Sequence, residues 1–151
     1  MGPFDHAEPG GSDAQPETGK VVGSVAELWR YPVKSMRGGT VSQLFITDRG
    51  SLGDRAWALR DPTNGRIASA KRFPRLLDFR ATYEVEPSMT TSGRVRIEAP
   101  DGQSVYADEP AASEMISSLL GRRLLLENQP QVDEKPASTG VRCSAMCRSR
   151  R

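Results

Sequence analysis

Two short segments carry the residues of this chain that could do chemistry. In the first, an apolar stretch ends at Pro32 and is followed almost directly by Lys34 and Ser35. In the second, a glycine-flanked turn leads to Asp54 and Arg55 at the head of another aromatic stretch. Arginine offers a planar fork of donors and lysine a compact charge, and both suit an anion with several oxygens. If strand pairing brings the two turns together, they predict a site for an anion, most simply a phosphate group.

Each pair also has a simpler interpretation. Lys34 and Ser35 could be a solvated lysine beside a serine that caps the next turn. Asp54 and Arg55 could form a local ion pair that closes a turn and contributes little to stability. A division of labour is a third interpretation, in which Asp54 orients the turn while the Arg55 head group points inward. Pro32 fixes the exit of the strand before Lys34, which favours a defined site.

A second basic run, Ser69-Ala70-Lys71-Arg72-Phe73-Pro74-Arg75, lies at the end of another predicted strand. A solvated charged face explains this run adequately. A mouth lined by Lys71 and Arg72 for an anionic ligand explains it equally well. Both interpretations therefore stay open.

Charge is distributed unevenly along the 151 residues, although the formal net charge is only +2. Residues 29–75 hold ten bases against three acids, residues 76–134 hold eleven acids against five bases, and residues 135–151 hold five bases and no acid. The basic excess thus coincides with the segment that carries the motifs, which indicates an anionic ligand there.

Composition disfavours several other classes of protein. No apolar run approaches the ~20 residues that span a bilayer, and the N-terminus lacks the pattern of a secretory signal, so we expect no membrane association and a cytoplasmic location. The two cysteines, Cys143 and Cys147, have no His, Asp or Glu close to them in sequence, which favours free thiols over a metal site. Paired carboxylates, a serine elbow and a Walker loop are all missing from the sequence, so no catalytic residue is predicted.

The elements that must position the motifs are mostly strands. Alternation and turn signals predict strands over 21–31, 40–47, 55–60, 66–71, 77–85, 94–98, 103–107 and 122–127. Hairpin turns are predicted at 61–65 and at Asp101-Gly102, and one helix near 110–120, between Pro110 and Gly121. The predicted fold class is therefore mainly β, a small twisted barrel or half-barrel with one late helix. Residues 1–20 and 131–151 are predicted as disordered tails around one domain over residues 21–130, and the basic C-terminal tail reads as aberrant coding.

From about Val21 to Glu127 the chain resembles the N-terminal β-barrel domain of MOSC proteins, a group related to the C-terminal part of molybdenum cofactor sulfurase and to the mitochondrial amidoxime-reducing component. Three motifs in this order carry the resemblance: Leu28-Trp29-Arg30-Tyr31-Pro32-Val33-Lys34-Ser35, the segment from Gly50 to Trp57, and the segment from Ser69 to Leu76. The resemblance implies that Lys34, Ser35 and Arg55 contact the phosphate and pterin end of the molybdenum cofactor (molybdopterin). Lys71 and Arg72 of the basic run are predicted as further cofactor-binding residues. For complete members it also implies molybdenum ion binding, pyridoxal phosphate binding and oxidoreductase activity on N-oxygenated or sulfur-containing substrates.

Complete members of the family continue into the MOSC domain proper, which supplies the cysteine that ligates molybdenum. The surroundings of Cys143 and Cys147 do not resemble that cysteine's context, so we expect a chain that is truncated before the catalytic half and inactive alone. A separate MOSC domain or a redox partner would then be needed for activity.

Two alternatives to the cofactor hypothesis remain open. One is a small basic β module that binds nucleic acid through Trp57, Phe73 and the basic strip, and the other is a domain that binds a protein partner and no ligand. We interpret Trp29, Tyr31 and Trp57 as core and strand-pairing residues rather than as a platform for bases. We also expect the acidic segment 76–134 to oppose a long polyanion, so nucleic-acid binding is not the favoured hypothesis.

Overall fold

The computed structural model describes residues 22–48 and 50–129, together with the backbone of residues 141–144. The predicted tails 1–20 and 131–151 therefore lie outside the described residues, apart from the strand at 141–144. The described elements, in chain order, are β1 (Leu28–Arg30), β2 (Gly39–Val41), β3 (Gln43–Thr47), β4 (Gly50–Ser51), β5 (Trp57–Arg60), a 3-10 helix (Pro74–Asp78), β6 (Arg80–Val85), β7 (Arg94–Glu98), β8 (Ser104–Tyr106), α1 (Pro110–Leu120), β9 (Leu125–Asn128) and β10 (Val141–Ser144).

The strands form four small antiparallel sheets, ordered β1-β2, β10-β3-β4, β5-β9 and β6-β7-β8. Isolated parallel bridges join Val33 to Trp57 and Arg37 to Arg80, so the segment 33–37, which begins in the first motif, links the β5 and β6 sheets. The predicted fold class, mainly β with one late helix, is confirmed, and the described strands do not close into a barrel. Within the described residues, no helix has the length and apolar character that a bilayer span requires.

One hydrophobic core connects these sheets. Its fully buried side chains come from the first motif, from β5, from the 3-10 helix, from the residue between that helix and β6, from β7, from α1 and from the segment before β9: Val33, Leu59, Leu76, Phe79, Ile97, Ile116 and Leu124. Burying one side chain of this size stabilises the fold by about 1.5–3 kcal/mol. Val33 is therefore an anchor directly beside Lys34, and the first motif is fixed by the core on one side.

The helix α1 is located where the sequence predicts it. Pro110 occupies its first turn, where a missing N–H costs nothing, and Ala112 and Ile116 face the core one turn apart. Gly121 ends the helix in the left-handed conformation with φ 64°, and its N–H donates to the carbonyls of Ser117 and Ser118 in the last turn.

The strand predicted over 21–31 is much shorter than expected. Only Leu28–Arg30 pairs, opposite Gly39–Val41, and residues 22–27 have no partner strand among the described residues. Trp29 and Tyr31 are 47% and 41% exposed, so the interpretation of these two as core residues is wrong. The strand predicted over 40–47 is divided at Ser42 into β2 and β3, which belong to different sheets.

Two further segments differ from the predicted strands. The strand predicted over 77–85 begins only at Arg80, because Pro74 opens a 3-10 helix that leaves Leu77 46% exposed. The segment predicted as a strand over 66–71 makes one bridge, Ile67 with Arg60, and then turns away. The strand β10, which pairs with β3, was not predicted because no apolar periodicity marks it.

Candidate anion-binding site

The two motifs lie side by side because their backbones pair in parallel. The Arg55 N–H donates to the Tyr31 carbonyl at 2.7 Å, and the Trp57 N–H donates to the Pro32 carbonyl at 3.0 Å. The Lys34 N–H then donates to the Trp57 carbonyl at 2.9 Å. The strand pairing that the anion-site hypothesis requires is thus present, and it places the Lys34 turn next to the start of β5.

The first turn runs from Val33 to Met36. The Met36 N–H donates to the Val33 carbonyl at 3.3 Å, and Ser35 at the third position has φ 69°. A type II turn requires a positive φ at this position, which normally selects glycine. Lys34 is exposed and Ser35 is half-buried, so the turn presents an ammonium and a hydroxyl close to the surface.

The second turn runs from Ser51 to Asp54 and leads into Arg55. The Asp54 N–H donates to the Ser51 carbonyl at 3.0 Å, Gly53 has φ 79°, and Arg55 has φ 52°. Among the described residues, Ser35 and Arg55 are the two non-glycine residues with a positive φ. This conformation costs roughly 1–2 kcal/mol for an L-residue, and it clusters at binding and catalytic sites. Both residues with this unusual backbone conformation are ones that the sequence analysis predicted to bind the anion.

Asp54 orients this region, as the division-of-labour interpretation proposed. Its Oδ1 accepts a hydrogen bond of 2.9 Å from the Tyr31 N–H, and its Oδ2 lies 3.8 Å from the Arg55 Nε. The Arg55 side chain is 69% exposed, so the inward orientation of its head group is wrong. The guanidinium instead faces solvent.

The second basic run approaches β5 from the opposite direction along the same edge. The Ala68 N–H donates to the Leu59 carbonyl, while the Lys34 N–H donates to the Trp57 carbonyl. Carbonyls two residues apart on one strand edge are separated by about 7 Å. Both loops therefore leave β5 at neighbouring points, and they meet again where the Arg37 N–H donates to the Phe79 carbonyl at 2.9 Å.

Lys71 and Arg72 lie in the turn that follows. The Ser69 carbonyl accepts the N–H groups of Arg72 and Phe73, which closes the turn. Lys71 is exposed; Arg72 is 49% exposed, with its guanidinium 5.5 Å from the centre of the Phe73 ring. The five candidate residues thus lie on three backbone segments that meet along one edge of β5.

A buried carboxylate that the sequence analysis did not select lies behind this turn. The Asp61 side chain is 1% exposed, and its Oδ2 accepts bonds from the Arg122 Nη2 at 2.7 Å and Nε at 3.1 Å. Burial alone raises the pKa of Asp61, but the bonds from Arg122 and Thr63 outweigh it and hold the pKa below its ordinary value. An aspartate that opens a Pro and Asn-Gly turn is typical of an Asx turn, and that signal could have identified it.

A second missed cluster supports the Asp54-Arg55 turn. Arg30 is 5% exposed; its Nη2 donates to both Glu86 oxygens, at 2.7 and 2.6 Å, and its guanidinium stacks on the Tyr83 ring at 4.5 Å. The Tyr83 hydroxyl donates to the Gly53 carbonyl at 3.1 Å. Burial raises the pKa of Tyr83 to about 12, so this donor stays protonated at neutral pH.

The candidate site is an exposed surface rather than a cavity. A cleft of about 500 Å³ lies against the second turn and is lined by Leu52, Ala56 and Tyr83 among others, but by none of the five candidate residues. In the described part of the chain, no group of three or more His, Cys, Asp or Glu side chains could hold a metal ion. The donor set along the β5 edge therefore suits the phosphate end of a cofactor, whereas the described residues offer no ligand set for its metal.

A family model described as the MOSC N-terminal beta barrel domain matches residues 22–134, which is most of the chain. The chain belongs to this family. Among similar proteins, mitochondrial amidoxime reducing component 2 of Macaca fascicularis is 42% identical over 69 residues, which cover 42% of this chain and 20% of the relative. Human mitochondrial amidoxime-reducing component 1 is 42% identical over 60 residues, which cover 37% of this chain and 18% of the relative.

The matched part of this chain thus spans about a fifth of the length of these relatives. The names of the relatives assign amidoxime reduction and a mitochondrial location to those proteins. The family match includes both turns, the basic run and Arg122. What this chain contributes to any such reaction has to be argued from its own residues.

Proposed function

We propose that this MOSC N-terminal domain supplies the phosphate-binding part of a molybdenum-cofactor site in a protein of the amidoxime-reducing-component type. The proposal is supported chiefly by the parallel pairing of residues 31–34 with residues 55–57, together with the left-handed conformation of Arg55 within this pairing and of Ser35 directly after it. Such strain persists only where the surroundings impose it, and a binding site is a common reason.

Each residue has a role that follows from its chemistry. Arg55 would grip two phosphate oxygens with its planar fork, and Lys34 would add a point charge beside it. The Ser35 hydroxyl would donate to a third oxygen. Lys71 and Arg72 would line the mouth of the site. Without a ligand, these like charges repel each other, so the exposed head groups should separate and close in only around an anion.

The domain would bind the cofactor without reacting by itself. When bound, the molybdenum centre would supply the electron transfer that reduces an N-oxygenated substrate. The residues described here bind and orient charge, so a metal ligand and an electron donor would come from a separate MOSC domain or a redox partner. A cytoplasmic location stays a prediction, since the similar proteins are named as mitochondrial.

Titration of the purified chain with methyl phosphate, followed by NMR chemical shifts, tests the phosphate site. We expect Arg55→Gln to weaken binding about tenfold, which corresponds to ~1.4 kcal/mol. Arg96→Gln is the matched control, because Arg96 lies on β7 and pairs with Ser104 and Glu98 instead. Equal weakening by the two substitutions would show unspecific charge attraction and contradict the proposal.

A second titration distinguishes the cofactor. Free molybdopterin and pyridoxal phosphate share the phosphate group but differ in the ring system, and we expect the molybdenum cofactor to bind more tightly. Tighter binding of pyridoxal phosphate, with the same dependence on Arg55, would support the phosphate site but contradict the molybdenum cofactor as its ligand.

The nucleic-acid alternative is less well supported by the structure. Trp57 and Phe73, the aromatic residues on which it depends, are half-buried and pack against the core. Stacking of bases needs an exposed ring face beside a cationic groove. We therefore expect generic single-stranded oligonucleotides not to bind at physiological salt; salt-sensitive binding at micromolar concentration would favour this alternative instead.

A further inference from the structure

Asp61 connects two arginines that are far apart in sequence. It directly follows β5, its side chain is 1% exposed, and its Oδ1 is occupied by the Thr63 N–H at 3.0 Å. The other oxygen, Oδ2, accepts a hydrogen bond from the Asn64 Nδ2 at 3.1 Å and also faces both guanidinium groups, with the Arg122 Nη2 at 2.7 Å and the Arg72 Nη2 at 4.0 Å. The Asp61 carboxylate therefore interacts with Arg72, which belongs to the candidate site, and with Arg122, which does not.

The two arginines are bound to Asp61 in different ways. Arg122 donates from both Nη2 and Nε, so it neutralises the carboxylate at hydrogen-bond distance. Arg72 lies at 4.0 Å, which is too far for a hydrogen bond, so Asp61 attracts its guanidinium without consuming its donors. The Phe73 ring lies on another side of the Arg72 guanidinium.

This arrangement depends on Arg122. The Thr63 N–H and the Asn64 amide that also donate to Asp61 are neutral, so without Arg122 the charge of the buried carboxylate is left uncompensated, and the nearest remaining cation is then drawn to it. In this domain that cation is Arg72, which would have to close only the last ångström to reach Oδ2. Its donors would then point inward and be lost to a ligand.

We propose that Asp61, neutralised by Arg122, is a positioning residue that holds Arg72 with its donors facing the anion site. This inference rests on the proposed function, because it assigns a role to residues around the same phosphate site. Arg122 thereby controls anion affinity although it is not among the residues proposed to contact the anion.

The test is a set of substitutions titrated with methyl phosphate. We expect Arg122→Gln to weaken binding about three- to fivefold, the size of an exposed ion pair, and to have no effect when Arg72 is already Gln. Arg122→Lys restores a cation near Asp61 and should recover part of the affinity. Arg123→Gln removes the same charge at the next, exposed residue and should leave affinity near the original value.

A direct readout separates positioning from a loss of fold. In Arg122→Gln the Arg72 Nε–H resonance should shift as the guanidinium reaches Asp61, while the backbone spectrum outside this region stays unchanged. The inference is overturned if Arg122→Gln weakens phosphate binding equally in the original chain and in the Arg72→Gln variant. It is also overturned if the Arg72 resonance does not shift. If Arg55→Gln still weakens binding in that case, the proposed function stands; if the unmodified chain binds no phosphate, both fail.

Discussion

The Asp54 carboxylate accepts a hydrogen bond of 2.9 Å from the Tyr31 N–H, so a side chain of the second motif fixes the backbone of the first. Tyr31 returns the contact, since its carbonyl accepts the Arg55 N–H at 2.7 Å. Asp54 and Arg55 are thereby both hydrogen-bonded to Tyr31. Such a double constraint can keep Arg55 in the left-handed conformation, which it would otherwise leave.

Replacing Ser35 with glycine should stabilise the domain and weaken anion binding. The left-handed conformation costs about 1–2 kcal/mol for a serine, and the greater flexibility of glycine offsets part of that, so we expect the free energy of unfolding to rise by about 0.5–1 kcal/mol. The lost hydroxyl should lower affinity for methyl phosphate.

Ser35→Ala is the matched control, because it removes the hydroxyl and keeps the strain. Urea unfolding should show no gain in stability for this variant, while its phosphate affinity should fall as in Ser35→Gly. Unchanged stability of Ser35→Gly would mean that the backbone at this position is not strained.

Local signals in the sequence predicted the parts of the site that depend on neighbouring residues. Pro32 marked the end of the first strand, and the glycines around Asp54 marked the second turn, because turn geometry selects these residue types directly. The helix and its end at Gly121 were predicted for the same reason. The pairing of the two motifs followed from placing each turn at a strand end.

The residues that support the site could not be predicted in this way. Arg30 is paired with Glu86, 56 residues away, and Asp61 with Arg122, 61 residues away. An arginine in a strand and an aspartate in a turn are ordinary at the level of sequence, and only the tertiary contact buries them. Trp29 and Tyr31 were wrongly predicted as core residues. The strand β1 is short, and the side chains of Trp29 within it and of Tyr31 directly after it face solvent.

Substituting alanine at Gly53 should destabilise the domain more than its backbone conformation alone explains. A Cβ there would lie 2.7 Å from the Pro87 Cγ and 2.9 Å from the Tyr83 hydroxyl, in addition to the cost of φ 79°. We expect a loss of about 2–4 kcal/mol, from the left-handed conformation and from overpacking together.

Gly102→Ala isolates the backbone contribution to that loss. Gly102 has φ 88°, and a Cβ there would meet no atom within 4 Å. Urea unfolding should therefore show that Gly102→Ala lowers the free energy of unfolding by only about 1 kcal/mol, the cost of the backbone conformation alone. Equal losses for the two variants would show that Tyr83 and Pro87 do not press on the Gly53 turn.

Asp61→Asn should destabilise the domain at neutral pH and progressively less in acid. The pKa of Asp61 is lowered in the folded state, so its contribution to stability is present above the ordinary value of 3.8 and is lost as the pH falls through the folded value. The difference in the free energy of unfolding between the original chain and the variant should narrow as the pH falls below 3.8. A difference that stays constant through the acid range would contradict a stabilising charge on Asp61.

Tyr83→Phe tests the hydroxyl that supports the second turn. At neutral pH the variant loses the hydrogen bond to the Gly53 carbonyl, which should lower the free energy of unfolding by about 0.5–1.5 kcal/mol. Burial raises the folded-state pKa of Tyr83 to about 12, from an ordinary value of 10.0. Its protonated form therefore stabilises the fold fully below pH 10.0, and this contribution is lost as the pH rises towards 12.

The stability difference between the original chain and Tyr83→Phe should consequently shrink in alkaline solution. Urea unfolding across this range measures the difference, and ultraviolet titration of the phenols provides an independent check. The chain has three tyrosines, and the phenol that titrates near 12 should disappear in Tyr83→Phe. If a phenol still titrates near 12 in Tyr83→Phe, that phenol belongs to another tyrosine, and Tyr83 is not the group whose pKa burial raises most.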